Sequence, residues 1–315
     1  MRPISSPFDV VTVTLNPAID RTVTIPSFTL GAVNRVEAAH NTAGGKGVNV
    51  ASALADEGRR IAVTGFLGRE NTALFETLFA QKNIVDRFVR TAGETRIGIK
   101  VTDPVAHTTT DINFPGTPPT PEDIATLRKQ IEALEAPWFV LGGSLPPGVD
   151  PGVYRDLVVS LKALGRKVVV DTSDEPLRLV LAAAPTIIKP NIHELEALLG
   201  ETLGTKEAVL VAARSLVAQG IQLVVVSMGK EGACFVSADR AVIARPPSVK
   251  VRSTVGAGDA MVAGIVSAQM RGLPLEDCAR LGTAFSLEIL TRGEGSQASR
   301  TAIAAAMAQV TLDFY

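Results

Sequence analysis

The chain has 315 residues, 46% of them hydrophobic, with 31 Lys and Arg set against 32 Asp and Glu for a formal net charge of -1. That is enough apolar material for a large core, in one big α/β domain or two ordinary ones, and the near-neutral balance excludes a general nucleic-acid or anionic-membrane surface, since such partners need a net basic field. An anionic ligand is therefore expected to be held by local cations. The two cysteines, Cys234 and Cys278, are too few for a disulfide framework and lack metal-ligand spacing, which fits a reducing compartment. The opening residues, Met1-Arg2-Pro3-Ile4-Ser5-Ser6-Pro7, place prolines where a signal peptide needs a basic start and an apolar helix. No uncharged apolar run reaches the ~18 residues needed to span a bilayer. A soluble cytoplasmic protein is expected.

In chain order, short β-branched runs alternate with longer Ala/Leu-rich segments, the pattern of β-α units feeding a parallel sheet. The strands expected are Val10–Leu15, Ile61–Gly65, Trp138–Leu141, Val168–Asp171, Thr186–Lys189 and Leu223–Ser227. Between them lie amphipathic stretches at Val48–Glu57, Glu122–Glu135, Val153–Leu164 and Glu207–Gln219, several closed by a glycine suited to a helix C-cap (Gly58, Gly165, Gly220). After Ala257 the chain reads as mostly helical to its end. Two excursions, at about 22–38 and 88–114, alternate polar and apolar residues without a helix-length pattern. They are expected to form a small separate sheet, a lid on a single domain spanning 1–315, or else extra edge strands on the main sheet.

Three stretches can carry chemistry. In Ser253-Thr254-Val255-Gly256-Ala257-Gly258-Asp259-Ala260, two glycines let backbone N–H groups turn toward one point, and the following helix adds the positive end of its dipole, making an anion hole. Asp259 then either faces that site or merely caps the helix. In Thr42-Ala43-Gly44-Gly45-Lys46-Gly47-Val48-Asn49, the amides of a glycine-rich loop, Lys46 and Asn49 can hold the oxygens of a polyol or phosphate; Val48 stands where a Walker A loop needs Ser or Thr, and a tight turn with a solvated lysine explains the loop equally. In Lys189-Pro190-Asn191-Ile192-His193-Glu194, Asn191 and Glu194 have capping-box spacing, yet at a strand C-terminus they can also organise the water shell of a magnesium ion, with His193 left at the surface.

Smaller signals fall near the same sheet edge: Asp20 beyond the first strand, Arg35 and Arg96 in the excursions, and Gly142-Gly143-Ser144-Leu145-Pro146-Pro147-Gly148 after another strand. Ser227-Met228-Gly229-Lys230-Glu231-Gly232 suits a nucleotide lying close to backbone or a plain hairpin. The first strand leads into Asn16-Pro17-Ala18-Ile19-Asp20 rather than a Gly-x-Gly-x-x-Gly loop, which weakens a dehydrogenase reading.

Gly44-Gly45-Lys46-Gly47-Val48-Asn49 and Thr254-Val255-Gly256-Ala257-Gly258-Asp259 resemble the two signatures of the ribokinase-like, phosphofructokinase B sugar kinases. Gly143-Ser144-Leu145-Pro146, Lys189-Pro190-Asn191 with Glu194, and Ser227-Met228-Gly229 fall between them in the family's order. The resemblance implies a three-layer α/β core around a mostly parallel sheet, a β-sheet lid, and transfer of the ATP γ-phosphoryl group to a sugar hydroxyl. It implies Asp259 as base; Gly256, Ala257 and Gly258 as the anion hole; Asn191 and Glu194 governing Mg2+; Lys189, Ser227, Gly229, Gly232 and Thr254 on the ATP side; and Asp20, Gly45, Lys46, Asn49, Arg96 and Ser144 on the sugar side. A phosphorylated sugar brings roughly two negative charges. Arg96, Lys46 and Arg35 are the cations expected to meet them, which favours a phosphosugar substrate. Thr14-Leu15-Asn16-Pro17-Ala18-Ile19-Asp20, Val33-Asn34-Arg35, Thr95-Arg96-Ile97 and Phe66-Leu67-Gly68 look most like kinases of fructose 1-phosphate, with kinases of tagatose 6-phosphate and fructose 6-phosphate as alternatives. Gly142 stands where the family has serine, so one hydrogen bond near the sugar is absent. The different-class alternative is a catalytically silent phosphosugar sensor. A homodimer joined through the lids is expected, because the lid would present open edges and a half-apolar face.

Overall fold

The computed structural model describes residues 6–252, 254–292 and 299–315, so Ser253, at the start of the downstream glycine loop, and most of the opening segment lie outside the described residues. The chain enters through β1 (Val10–Thr14), makes β2 (Ala18–Thr24) and β3 (Ala38–Gly44), and returns through α1 (Lys46–Asp56) to β4 (Ile61–Gly68). After α2 (Ala73–Lys82), β5 (Val85–Asp86) and β6 (Val89–Thr91), a hairpin of β7 (Ile97–Asp103) and β8 (Thr108–Asn113) leads to α3 (Pro121–Ala133). Then come β9 (Trp138–Gly142), α4 (Val153–Ala163), β10 (Lys167–Asp171), α5 (Asp174–Val180), β11 (Ile187–Ile188), α6 (Ile192–Leu199) and α7 (Lys206–Val217). The chain closes with β12 (Leu223–Ser227), β13 (Ala233–Val236), β14 (Ala241–Arg245), α8 (Ala257–Met270), α9 (Leu275–Thr291), α10 (Arg300–Gln309) and β15 (Thr311–Phe314).

The large sheet has the order β15-β14-β13-β12-β11-β10-β9-β1-β4-β5, with β6 also beside β4. Pairing is parallel from β5 to β12 and antiparallel beyond. Strands covered on both faces must be apolar on both, which is why they read as runs rather than alternations. Val10 belongs to a core shared with apolar residues of α1, α2, α8, α9 and α10 on one face, while Val11 and Val13 belong to a second core shared with those of α3, α4, α5, α6 and α7 on the other. Each fully buried Val or Leu contributes roughly 1.5–3 kcal/mol, so the two faces fix the strand order. The layered α/β expectation holds.

Five of the six expected strands differ in their boundaries, Ile61–Gly65 extending to Gly68. The strand expected at Thr186–Lys189 shortens to Ile187–Ile188, because Pro190 has no N–H for a ladder and turns the chain toward α6. After Ala257 the described residues are mostly helical, as expected, and close with β15, which pairs with β14; Asp313 forms an ion pair with Arg245 across that edge.

The second sheet has the order β3-β2-β7-β8 and shares no ladder with the first among the described residues, so the alternative of extra edge strands fails. Its strands cover 18–24, 38–44, 97–103 and 108–113, so the first excursion is wider than 22–38 and much of that span, 25–37, is loop. Phe88 belongs to the core instead, stacked on Phe79 with ring centroids 6.0 Å apart, and β6 ladders with β4. Alternation along β2 and β7 sends Val23 and Val101 to one face, packed with Ile25, Ile99 and Phe28, and Asp20 and Lys100 to the other.

Candidate active site

The chain leaves β1 for β4 on one side and later fills β9 on the other, so a crevice opens at the carboxyl end of β1, where the strand order reverses. The small sheet faces this crevice with its polar side, making a cleft of about 480 Å³. Asp20, Gly45, Lys46, Asn49, Arg96, Ser144, Glu194, Thr254, Gly256 and Asp259, named from sequence, all line it. The structure adds Asn16, Lys100 and Asp111.

α8 is buried over most of its length, with its N-terminus at the cleft. Gly256 takes the left-handed conformation at the N-cap (φ 77°), which a glycine adopts without cost, and no side chain caps the helix there. Its first-turn N–H groups carry its positive end; that of Ala257 donates to Thr254 O at 3.3 Å, and that of Gly258 has no partner within the helix. Asp259 sits in this turn, only 8% exposed, and accepts a 2.7 Å hydrogen bond from Asn49 Nδ2 on α1. Burial, reinforced by the charge of Asp171, pushes its pKa up to about 6, against the Asn49 hydrogen bond and the nearby Lys46 and Lys189. The Asn49 bond holds the carboxylate, and no side chain caps the helix.

Asp171, at the end of β10, lies beneath this turn and was not singled out from sequence. Its Oδ1 accepts from Lys46 Nζ at 2.8 Å, and its Oδ2 is 3.5 Å from Lys189 Nζ. Burial alone would raise its pKa, but the two ammonium groups hold it below the usual carboxylate range. Lys46 responds oppositely: burial disfavours its charge, yet Asp171 holds its pKa above the usual lysine value. A methyl group on Gly258 would stand 3.5 Å from Lys189 Nζ, so that buried lysine lies directly under the helix turn. The only sequence signal for Asp171 is a carboxylate ending an otherwise apolar strand.

The Asp20 carboxylate lies across two glycines of the small sheet: a Cβ on Gly44 would fall 2.3 Å from Oδ2, and one on Gly98 would fall 2.9 Å from Oδ1. Burial raises its pKa, opposed by Lys100 and then Arg96. Arg96 donates to the carbonyls of Asn16 (3.1 Å) and Phe114 (3.1 Å), tying the start of β7 to the end of β1; burial lowers its pKa while Asp20 opposes the fall. Asn16 in turn donates to Pro115 O, Ser144 Oγ and Leu145 O at 3.1–3.3 Å, fixing the Ser144 loop. Arg35 is exposed in the loop between β2 and β3 and does not line the cleft.

Asn191 and Glu194 do form a capping box: Glu194 N donates to Asn191 Oδ1 at 2.9 Å, and Asn191 N donates to Glu194 Oε2 at 2.8 Å. Glu194 still reaches the cleft wall, whereas Asn191 and Lys189 do not line it. Ser227 bridges to Asn191 in parallel, and Ser227 N donates to Pro190 O at 3.1 Å, which places the β12 end beside α6. Gly229 and Gly232 shape the β12–β13 turn. A Cβ on Gly232 (φ 91°) would fall 2.0 Å from Ala244 O, so the hairpin itself demands that glycine. His193 is exposed beside Glu196.

An α/β core with a buried aspartate under a helix N-terminus, roofed by a small β-sheet, is the architecture of a sugar kinase. The chain matches the model of the pfkB family carbohydrate kinases over residues 13–302 and belongs to that family. It is 50% identical over 284 residues to the 1-phosphofructokinase of Rhodobacter capsulatus, covering 89% of this chain and 90% of that protein. It is 44% identical over 309 residues to the 1-phosphofructokinase of Xanthomonas campestris, covering 96% and 97%. Among solved structures it is similar to phosphofructokinase-2 from Escherichia coli in complex with substrates and products, with a TM-score of 0.89, 30% identity, and coverage of 95% of this chain and 98% of that one. The fold is thus ribokinase-like and the chain an ATP-dependent sugar phosphotransferase. Among the described residues no helix is long and apolar enough to cross a membrane.

Proposed function

We propose that the chain transfers the γ-phosphoryl group of ATP to the C6 hydroxyl of fructose 1-phosphate, giving fructose 1,6-bisphosphate. The observation that carries this is Asp259, a buried carboxylate with a pKa near 6, set by Asn49 at the N-terminus of α8 and facing a cleft whose other end holds Arg96. The two relatives named above, at 50% and 44% identity, give the choice of phosphosugar. A pKa near 6 leaves Asp259 mostly ionised at neutral pH yet able to take the hydroxyl proton as the phosphoryl group moves. The amides of Gly256, Ala257 and Gly258 and the helix dipole stabilise the charge on the group in flight, and Lys46 and Lys189, anchored by Asp171, add fixed positive charge beneath it. Asp20 orients the sugar hydroxyls. Thr254, Ser227, Gly229 and Gly232 border the path of the nucleotide.

The residues fit a magnesium ion that keeps most of its water. Among the described residues no cluster of three or more acidic, His or Cys side chains makes a protein cage. Glu194 spends one oxygen on its capping box and presents hard carboxylate chemistry to the cleft, with Asn191 fixing its position. A magnesium ion held through water by Glu194 would supply charge neutralisation and orientation of the ATP phosphates.

The small sheet serves as a lid, with Asp20 and Arg96 delivered by its strand ends. Its loop and outer edge expose Leu30, Val33, Val36, Ile112 and Phe114, a surface that supports dimerisation through the lids. Light scattering at the mass of two chains is expected; the monomer mass at high concentration with substrate present would count against the dimer. A silent sensor would be expected to have lost Asp259 or the glycines of the loop before it, and this chain has both. An ADP-release assay tests the function: fructose 1-phosphate should give a kcat/KM well above those of fructose 6-phosphate and tagatose 6-phosphate. Equal turnover of the three would refute the substrate choice, and none would refute the kinase.

A further inference from the structure

Resting on this phosphosugar reading, we propose that Lys100 is the second cation that holds the substrate's own phosphate, and that Asp111 occupies its ammonium group only while the cleft is empty. A phosphate of about two negative charges calls for two cations. Arg96 is one. Lys46 is committed to Asp171 at 2.8 Å, beneath the helix turn, and Arg35 is outside the cleft, so neither cation expected from sequence is placed to be the other.

Lys100 lies on β7 in the polar face of the small sheet, and its side chain is only 15% exposed. A lysine withdrawn this far from water needs anionic partners. Those it has are loose: Asp111 Oδ1 at 3.4 Å and Asp20 Oδ1 at 3.9 Å, against roughly 2.7–2.9 Å for a tight charge-assisted bond. Asp111 stands directly opposite on β8, in register with Lys100, and its side chain is 52% exposed, so it can turn into solvent at little cost. Asp20 feels Lys100 first and Arg96 second among its cations, so both surround the carboxylate assigned to the sugar hydroxyls. A phosphate on a sugar seated against Asp20 therefore comes within reach of both. Binding exchanges the Asp111 contact of Lys100 for the phosphate, with no covalent step, and an unphosphorylated sugar has nothing to offer in that exchange.

The test compares Lys100→Met, Lys100→Arg and Asp111→Asn in steady-state kinetics and in calorimetric titration with fructose 1-phosphate. Lys100→Met should raise the phosphosugar KM by about tenfold or more, the size of one lost charge-assisted contact, with kcat and the ATP KM nearly unchanged. Lys100→Arg should restore most of the affinity. Asp111→Asn should lower the phosphosugar KM, because it removes the competitor for Lys100; a merely structural pair would instead weaken both variants alike. An unchanged KM in Lys100→Met, or a raised KM in Asp111→Asn, overturns the proposal, and if Lys100→Met does not fold, the sign in Asp111→Asn decides. Wild-type protein that turns over no phosphosugar would refute the kinase reading alone, and Lys100 would then be judged by the titration, in which equal heats for wild type and Lys100→Met refute it.

Discussion

Replacing Asp259 by asparagine should slow the reaction severely and stabilise the protein at the same time. The amide keeps the size of the carboxylate and can turn its oxygen toward Asn49 Nδ2, now 2.7 Å away, so the packing at the α8 turn survives. What is lost is the ability to take a proton, a contribution of about 10²–10⁴ in rate, and kcat should fall by that factor. The wild-type carboxylate has a pKa near 6 instead of 3.8, so keeping it ionised at pH 8 opposes folding by roughly 3 kcal/mol. The sign follows from proton binding: between those two pKa values the folded state holds more protons than the unfolded one, so wild-type stability falls as pH rises through that window. Asp259→Asn removes this cost. Its melting temperature should exceed that of wild type by a few degrees at pH 8, with the gain shrinking as pH falls from 6 toward 4. Calorimetric melting at several pH values, beside an ADP-release assay, reads both effects. Near-wild-type turnover would refute the role as base. A lower melting temperature at pH 8 would show that the carboxylate supports the helix, as a cap would.

Asn49→Ala should move the acidic limb of the pH–rate profile upward, because the lost hydrogen bond favoured the ionised form of Asp259; a limb that stays in place or moves down refutes the assigned contact. Arg96→Ala should raise the phosphosugar KM about 10- to 100-fold with little change in the ATP KM, the scale of a lost contact of roughly 1.5–3 kcal/mol. An unchanged KM would leave Arg96 as a brace between the Asn16 and Phe114 carbonyls. Glu194→Gln should raise the magnesium concentration needed for half-maximal rate; the same requirement with a lower melting temperature would reduce Glu194 to its capping box. Gly98→Ala would force a Cβ to within 2.9 Å of Asp20 Oδ1, so phosphosugar affinity should fall while ATP affinity holds, and unchanged kinetics would show that Asp20 does not need its present position.

Residues whose roles are local were legible in the sequence. The glycine loop that opens α8, the Lys46 to Asn49 turn that opens α1, and the Asn191–Glu194 pair all announce themselves within a few residues, because a helix N-terminus is built by its own neighbours. Apolar runs likewise announced the parallel strands. Asp171 and Lys100 were not legible, because each acquires its meaning from a partner supplied by tertiary structure. Lys46 reaches Asp171 across 125 residues of chain, and Lys100 meets Asp111 only through the β7–β8 register. The same reason hid β15, a four-residue edge strand whose existence depends on β14 being beside it. Lys46, expected from the sequence to bind substrate, lines the cleft, but its ion pair with Asp171 was invisible until β10 and α1 were placed together.

The most direct test of the central claim is 31P nuclear magnetic resonance of the protein incubated with fructose 1-phosphate, ATP and magnesium. The account predicts that the signal of the 1-phosphate is retained while a second phosphomonoester signal grows, split by the C6 protons, in step with the formation of ADP. Loss of the ATP signal to free phosphate with the sugar unchanged, or phosphorylation at a position other than C6, would contradict it.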